Sequence, residues 1–164
     1  LKLNLGSLMN ETLLSDQQKY GCFLACAHAV GEPQTLKALD AEAAGKLSPE
    51  AVRAAKAASA IMGMNNVYYR SIHLVSNETY RTIPAKLRMN VIGAPGIDKA
   101  DFELFSLGVS AVNGCGMCLD AHEAELRKHG LSTEQIQAAI RIGAVVNAVA
   151  RVLAAEAVTA SEPA

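Results

Sequence analysis

The stretch NGCGMCLDAHEAELRKHG, residues 113–130, decides how the chain is read. It opens on Asn-Gly and closes on His-Gly, the punctuation of a helix with a turn at each end. Inside it Cys115 and Cys118 stand three residues apart, and His122 follows four later. Cysteines at this spacing are neighbours on a helix surface, and their separation suits a disulfide. Cys118 falls near the helix N-terminus, where the macrodipole favours a thiolate. Lowering a thiol pKa by about two units takes roughly 2.7 kcal/mol, and a helix dipole typically supplies only about 0.3–1 kcal/mol. His122, on the same face as Cys118, is placed to supply more as a base or as an imidazolium partner.

The preceding helix brings a carboxylate. With Asn113-Gly114 as the turn of a helical hairpin, Glu103 and His122 lie about 16 Å and about 12 Å from it. Antiparallel packing puts the two at similar heights. Glu103 shares a stripe with Ser106 and Ser110, a polar seam beside Phe102, Phe105, Val109 and Val112. A carboxylate on the far nitrogen of a histidine fixes its tautomer and raises its basicity. One helix face then offers a nucleophilic thiol, a resolving thiol and a base.

Further out, nearly everything reads as helix, so the fold class is all-α. Ser15-Asp16-Gln17-Gln18 and Ser132-Thr133-Glu134-Gln135 are capping boxes. Gly31 with Pro33 ends the first of these helices, and a short helix over about Thr35–Ala44 runs to Gly45. Ser48-Pro49-Glu50 opens a long alanine-rich helix. Pro84 is expected to open a short one stopped at Gly93, and Asp98 to cap the helix that reaches Asn113. The final helix ends in a frayed tail, ASEPA. A single domain over residues 1–160 is expected, with 161–164 as tail. SAIMGM at 59–64 echoes SAVNGC at 110–115, which suggests a duplicated unit over about 48–93 and 99–143. At that offset Val52, Met64, Val67 and Ser71 face Glu103, Cys115, Cys118 and His122, so only the second copy carries the chemistry.

Composition narrows the class. The chain has 164 residues, 51% hydrophobic and 19% charged, with net charge -1. These values fit one globular domain and give no basic patch for a nucleic acid. The most apolar stretch, Ala138–Val158, contains Arg141, Asn147, Arg151 and Glu156, so no membrane span is expected. No signal peptide is visible, and a cytoplasmic location is expected. In a reducing compartment cysteines point to metal binding or catalysis before structural disulfides. Structural zinc asks for four Cys or His ligands, and there is no second CxxC or HxxxH, which favours redox chemistry over metal. Cys22 and Cys26, four apart in an apolar helix, read as core. His28 and His73 read as structural, and His129 as a helix C-terminal cation.

The segment DFELFSLGVSAVNGCGMCLDAHEAELRKHG, residues 101–130, resembles the alkyl hydroperoxide reductase AhpD family, within the carboxymuconolactone decarboxylase-like superfamily. Glu103, Cys115, Cys118 and His122 fall at the family's spacing. LKLNLGSL at the N-terminus and MNNVYYR at 64–70 extend the resemblance over essentially the whole chain. It implies an all-helical fold with a repeated unit, assembled as a homotrimer. It implies a thiol peroxidase that reduces alkyl hydroperoxides and passes electrons to the peroxiredoxin AhpC. Those electrons come from dihydrolipoyl groups on an acyltransferase, recharged by NADH through lipoamide dehydrogenase, with no cofactor or metal bound to the chain itself. Cys118 would pass through sulfenic acid, Cys115 would be proton donor and resolving thiol, and Glu103 and His122 would form the proton relay. Family members can carry histidine between the cysteines, where this chain has Met117. The alternatives are a decarboxylase of the same superfamily, which lacks the CxxC pair, and a non-catalytic redox-sensing or metal-binding adaptor.

Overall fold

A computed structural model describes residues 1–159 and, among them, eight α-helices and no strand. The helices are α1 (Lys2–Met9), α2 (Asp16–Val30), α3 (Pro33–Ala43), α4 (Pro49–Leu74), α5 (Asn90–Gly93), α6 (Lys99–Asn113), α7 (Gly116–Lys128) and α8 (Thr133–Thr159). A 3₁₀ turn, Glu78–Arg81, lies between α4 and α5. The expected tail, ASEPA, lies outside the described residues.

Local chemistry explains most of the boundaries. Ser15 accepts from the Gln18 backbone N–H while Gln18 Oε1 accepts from the Ser15 N–H, so the capping box at α2 is complete. The same exchange joins Ser132 and Gln135 at α8. Ser48 accepts from Ala51 N and Asp98 from Ala100 N. Two expectations need correction. Helix α2 does end at Gly31, but α3 starts at Pro33 and not at about Thr35, because Glu32 caps the backbone N–H groups of Gln34 and Thr35 and proline needs no donor at the first position. Pro84 opens no helix: residues 84–89 are irregular, and the helical turn waits until Asn90. Helix α1, for which the sequence carries no capping signal, packs Leu8 into the core.

Helix α6 is the axis of the bundle. Every residue from Ala100 to Ser110 is buried, and the helix touches α2, α4, α7 and α8. All three phenylalanines of the chain, Phe23, Phe102 and Phe105, are fully buried. Each such side chain contributes about 1.5–3 kcal/mol relative to exposure. Asp101 is buried too, and it accepts from Gln17 and Gln18 at 2.6 and 2.9 Å, which ties α6 to the start of α2. By length and composition α8 is apolar enough to cross a membrane. Its buried face, Ile136, Ala139, Ile142, Gly143 and Val146, instead packs in the core with α2 and α6. Arg141 on α8 pairs with Glu11 at 2.7 Å.

Small side chains allow close approach of the helices. A methyl group on Gly143 would stand 2.9 Å from the Gly108 carbonyl oxygen, and one on Gly108 would stand 3.0 Å from Cys26 Sγ. The three helices α2, α6 and α8 therefore meet with no room for a side chain. Gly143→Ala should force α6 and α8 apart and cost about 1–3 kcal/mol. Urea denaturation checks this, with an unchanged midpoint as the contrary result.

Candidate active site

The site begins at a chain reversal. Gly114 adopts φ 67 and ψ 40, a left-handed conformation that glycine reaches without steric cost. The Cys115 N–H then bonds back to the Ser110 carbonyl at 3.1 Å and closes the end of α6. A polar network holds the reversal against α4. Asn66 Nδ2 donates to Ser110 Oγ and Asn113 Nδ2 donates to Asn66 Oδ1, both at 2.9 Å, and Arg70 donates to the Asn113 carbonyl. Cys115 is consequently not in the first turn of α7 but just ahead of it, in extended conformation as the N-cap. Cys118 is the third residue of α7.

Cys115 and Cys118 are joined as a disulfide with their Cα atoms 5.3 Å apart. The two sulfurs are not equivalent in access. Cys115 is fully buried, whereas Cys118 retains 7% exposure and lines a cleft of about 390 Å³. His122, one turn along α7, and Glu103 on α6 line the same cleft and meet at 2.6 Å between His122 Nδ1 and Glu103 Oε2. An ionised carboxylate only accepts, so Nδ1 carries the hydrogen and Nε2 is left for chemistry. Nε2 lies 3.2 Å from the Met62 sulfur on α4, a weak acceptor that competes little for a proton. Both members of the pair are buried, Glu103 at 4% and His122 at 8% exposure. Each gives the other the partner a buried polar group needs.

The rest of the cleft is mostly apolar. Tyr69, Ile92, Met117 and Ala121 form walls, and Asn65 is set beside Tyr69 on α4. Lys99 and Glu125 pair at 3.0 Å along the lining. The Lys99 ammonium, with Lys128 behind it, holds the Glu125 carboxyl down at about 2, and Glu125 in turn raises Lys99. Among the described residues no group of three or more His, Cys, Asp or Glu side chains is arranged to hold a metal ion.

The polar seam on α6 is buried rather than solvated: Glu103, Ser106 and Ser110 all lie inside, and Ser110 belongs to the network under the turn. Cys22 and Cys26 are free thiols with no exposed surface. His28 sits partly buried on α2, His73 lies exposed at the end of α4, and His129 stands 3.5 Å from Glu125. Sequence reasoning passed over Met62, Asn65, Asn66 and Lys99. Asn65-Asn66 did leave a trace, two adjacent amides inside an otherwise alanine-rich helix.

An all-helical chain with a CxxC at a helix start and an acid–imidazole pair beside it has recognisable relatives. The model of the carboxymuconolactone decarboxylase family matches residues 79–161. Similar proteins named alkyl hydroperoxide reductase AhpD come from Hyphomonas neptunium (78% identical, covering all of this chain and 91% of the relative), Maricaulis maris (70%, covering 95% and 90%) and Rhizorhabdus wittichii (60%, covering 93% and 88%). The chain belongs to the alkyl hydroperoxide reductase AhpD family.

The four cysteines should separate cleanly by reactivity. Burial pushes the Cys26 thiol up to about 12, and burial with Cys26 and Asp101 nearby pushes Cys22 well above its ordinary value. Both stay protonated in the folded state, so the stability they confer is complete below the ordinary thiol range and is lost as pH rises toward 12. After gentle reduction at neutral pH, iodoacetamide should label Cys118 first and leave Cys22 and Cys26 untouched until denaturant is added. Peptide mass mapping reads this directly, and early label on Cys22 would contradict it.

Proposed function

We propose that this protein is a thiol peroxidase that reduces alkyl hydroperoxides through Cys115 and Cys118. The observation that carries the reading is the unequal access of the two joined sulfurs: Cys118 opens on the cleft that His122 and Glu103 line, and Cys115 lies behind it. In the reduced protein the Cys118 thiol gives its proton to His122, directly or through a water, and Glu103 stabilises the imidazolium. The thiolate at the start of α7 attacks the terminal oxygen of the hydroperoxide. Cys115 protonates the departing alkoxide and then, as thiolate, attacks the sulfenic sulfur of Cys118, whose hydroxyl leaves as water with the proton held on His122. The disulfide described above is the end of this half-cycle.

Reduction would follow the same access. A dihydrolipoyl thiol can reach Cys118 and not Cys115, so the mixed disulfide forms on Cys118 and Cys115 leaves as thiolate. The donor is assigned by the family resemblance: a lipoylated acyltransferase recharged from NADH through lipoamide dehydrogenase, with AhpC as the peroxiredoxin regenerated. A cytoplasmic setting suits such a cycle, since it keeps the donor reduced. The homotrimer is supported by exposed apolar side chains grouped along 67–83, among them Val67, Leu74, Tyr80 and Ile83, all more than half exposed. Large apolar side chains left this exposed gain from being covered by a partner. Sedimentation should give three times the 17.2 kDa of one chain; a monomer at micromolar concentration removes the trimer.

The relay has its own test. General acid–base catalysis contributes about 10²–10⁴-fold, so His122→Ala should lower hydroperoxide turnover with dihydrolipoamide by that order and leave the helical circular dichroism intact. Glu103→Gln keeps the shape, removes the charge, and should act in the same direction. Because the two act as one unit, the double variant should be little worse than the poorer single. Wild-type turnover in both single variants would mean that the helix N-terminus activates the thiol unaided.

A further inference from the structure

Helix α4 brings Met62, Asn65 and Tyr69 to one face of the cleft, at the i, i+3, i+7 spacing of a single stripe. Met62 meets His122. Asn65, one turn further on, is 95% buried, given its 5% exposure, and its Oδ1 has no hydrogen-bond partner. Among the described residues it is the one buried polar atom of the cleft lining left in that condition. The neighbouring amide is different: Asn66 is engaged on both of its polar atoms by Ser110 and Asn113. An orphaned carbonyl in a buried wall is costly unless something donates to it. The charged groups of the lining are paired with one another, Glu103 with His122 and Lys99 with Glu125.

We propose that Asn65 binds the hydroperoxide, accepting the hydrogen of its terminal O–H and so aiming the O–O bond at Cys118. The inference rests on the peroxidase reading above. An alkyl hydroperoxide carries a single donor, the hydrogen on the terminal oxygen, and that oxygen is the one the sulfur attacks. A neutral amide suits the task. It accepts the hydrogen without removing it, and it places no negative charge beside the thiolate. As Cys118 attacks, its electron pair forms the S–O bond, the O–O bond breaks, and the alkoxide takes the Cys115 proton. Sulfur is oxidised by two electrons and the peroxide is reduced by two. The original hydrogen stays on its oxygen, now the sulfenic O–H, and remains on the Asn65 carbonyl until Cys115 displaces that oxygen as water. The dihydrolipoyl end offers only S–H groups, which are weak donors, so Asn65 serves the oxidative half-reaction and not the reductive one.

The test separates the half-reactions by stopped flow. Pre-reduced Asn65→Leu, close in size and without an acceptor, is mixed with tert-butyl hydroperoxide; the disulfide form is mixed with dihydrolipoamide. Cys118 reactivity is read separately with methyl methanethiosulfonate, which has no hydrogen to donate. Oxidation by the hydroperoxide should slow by roughly tenfold, the scale of one hydrogen bond, while the other two rates stay within about twofold of wild type. Asn65→Ala should give the same pattern and stands in if the leucine variant misfolds. An equal fall in all three rates would make Asn65 a packing residue and overturn the proposal. Loss confined to the dihydrolipoamide step would reassign it to the thiol donor. An active wild type matched by both variants overturns this inference alone, whereas a wild type inert to hydroperoxides overturns the peroxidase reading and this one with it.

Discussion

Everything chemical in this molecule hangs on the reversal at Asn113-Gly114. One residue in left-handed conformation turns α6 back as α7, and the Asn66–Ser110–Asn113 network, with Arg70, clamps that turn to α4. The clamp sets where α7 begins, and the start of α7 sets both cysteines. Because α6 and α7 then run antiparallel from a fixed point, Glu103 and His122 reach equal height without any further device. Their 2.6 Å contact is a consequence of hairpin geometry. The polar groups that build the turn are all committed to one another, so the one unpartnered amide beside them on α4 stands out as different in kind.

Unequal burial of the two sulfurs gives the pair a direction. A symmetric disulfide would let an incoming thiol or peroxide choose between sulfurs. Here the cleft reaches only Cys118, and the buried cysteine is the one whose backbone N–H closes α6. The proposed division of labour between an attacking and a resolving thiol draws on this packing as well as on the field at the helix N-terminus. His122 stands within the same enclosure, screened from bulk water, where its interaction with Glu103 is stronger than on a surface.

The helical architecture and the CxxC–His–Glu set were legible because each rests on local chemistry. Capping boxes, Ser-Pro-Glu and Asn-Gly act over a few residues, and the Glu103–His122 pairing followed from counting rise along two helices. The end of α2 at Gly31 was read correctly, but the start of α3 was placed two residues late because Glu32, whose carboxylate reaches forward as a cap, was not read as one. Pro84 misled for another reason: a permissive first residue does not make a helix where no side chain caps it and no apolar face is buried. The glycines tell the same story. Gly63 and Gly114 occupy the same place in the two echoing stretches, yet α4 runs straight through Gly63 while the chain turns at Gly114. Met62 and Lys99 left no signal in the sequence, and Asn65 only the oddity of two adjacent amides, because their place is set by the packing of α4 and α6 around the cleft.

The contact of Gly108 with Gly143 and Cys26 has a mechanical meaning. The backbones of α6 and α8 pressed together, with the Cys26 thiol of α2 against them, leave α6 little slack to slide or rotate. A cycle that makes and breaks a covalent bond between two sulfurs must move atoms somewhere, and α6 is not free to do it. In the cycle proposed above, that motion falls to the short span from Gly114 to Cys118, between a glycine at one end and the first turn of α7 at the other. The core thus behaves as an anvil, and the redox step as a small hinge working against it.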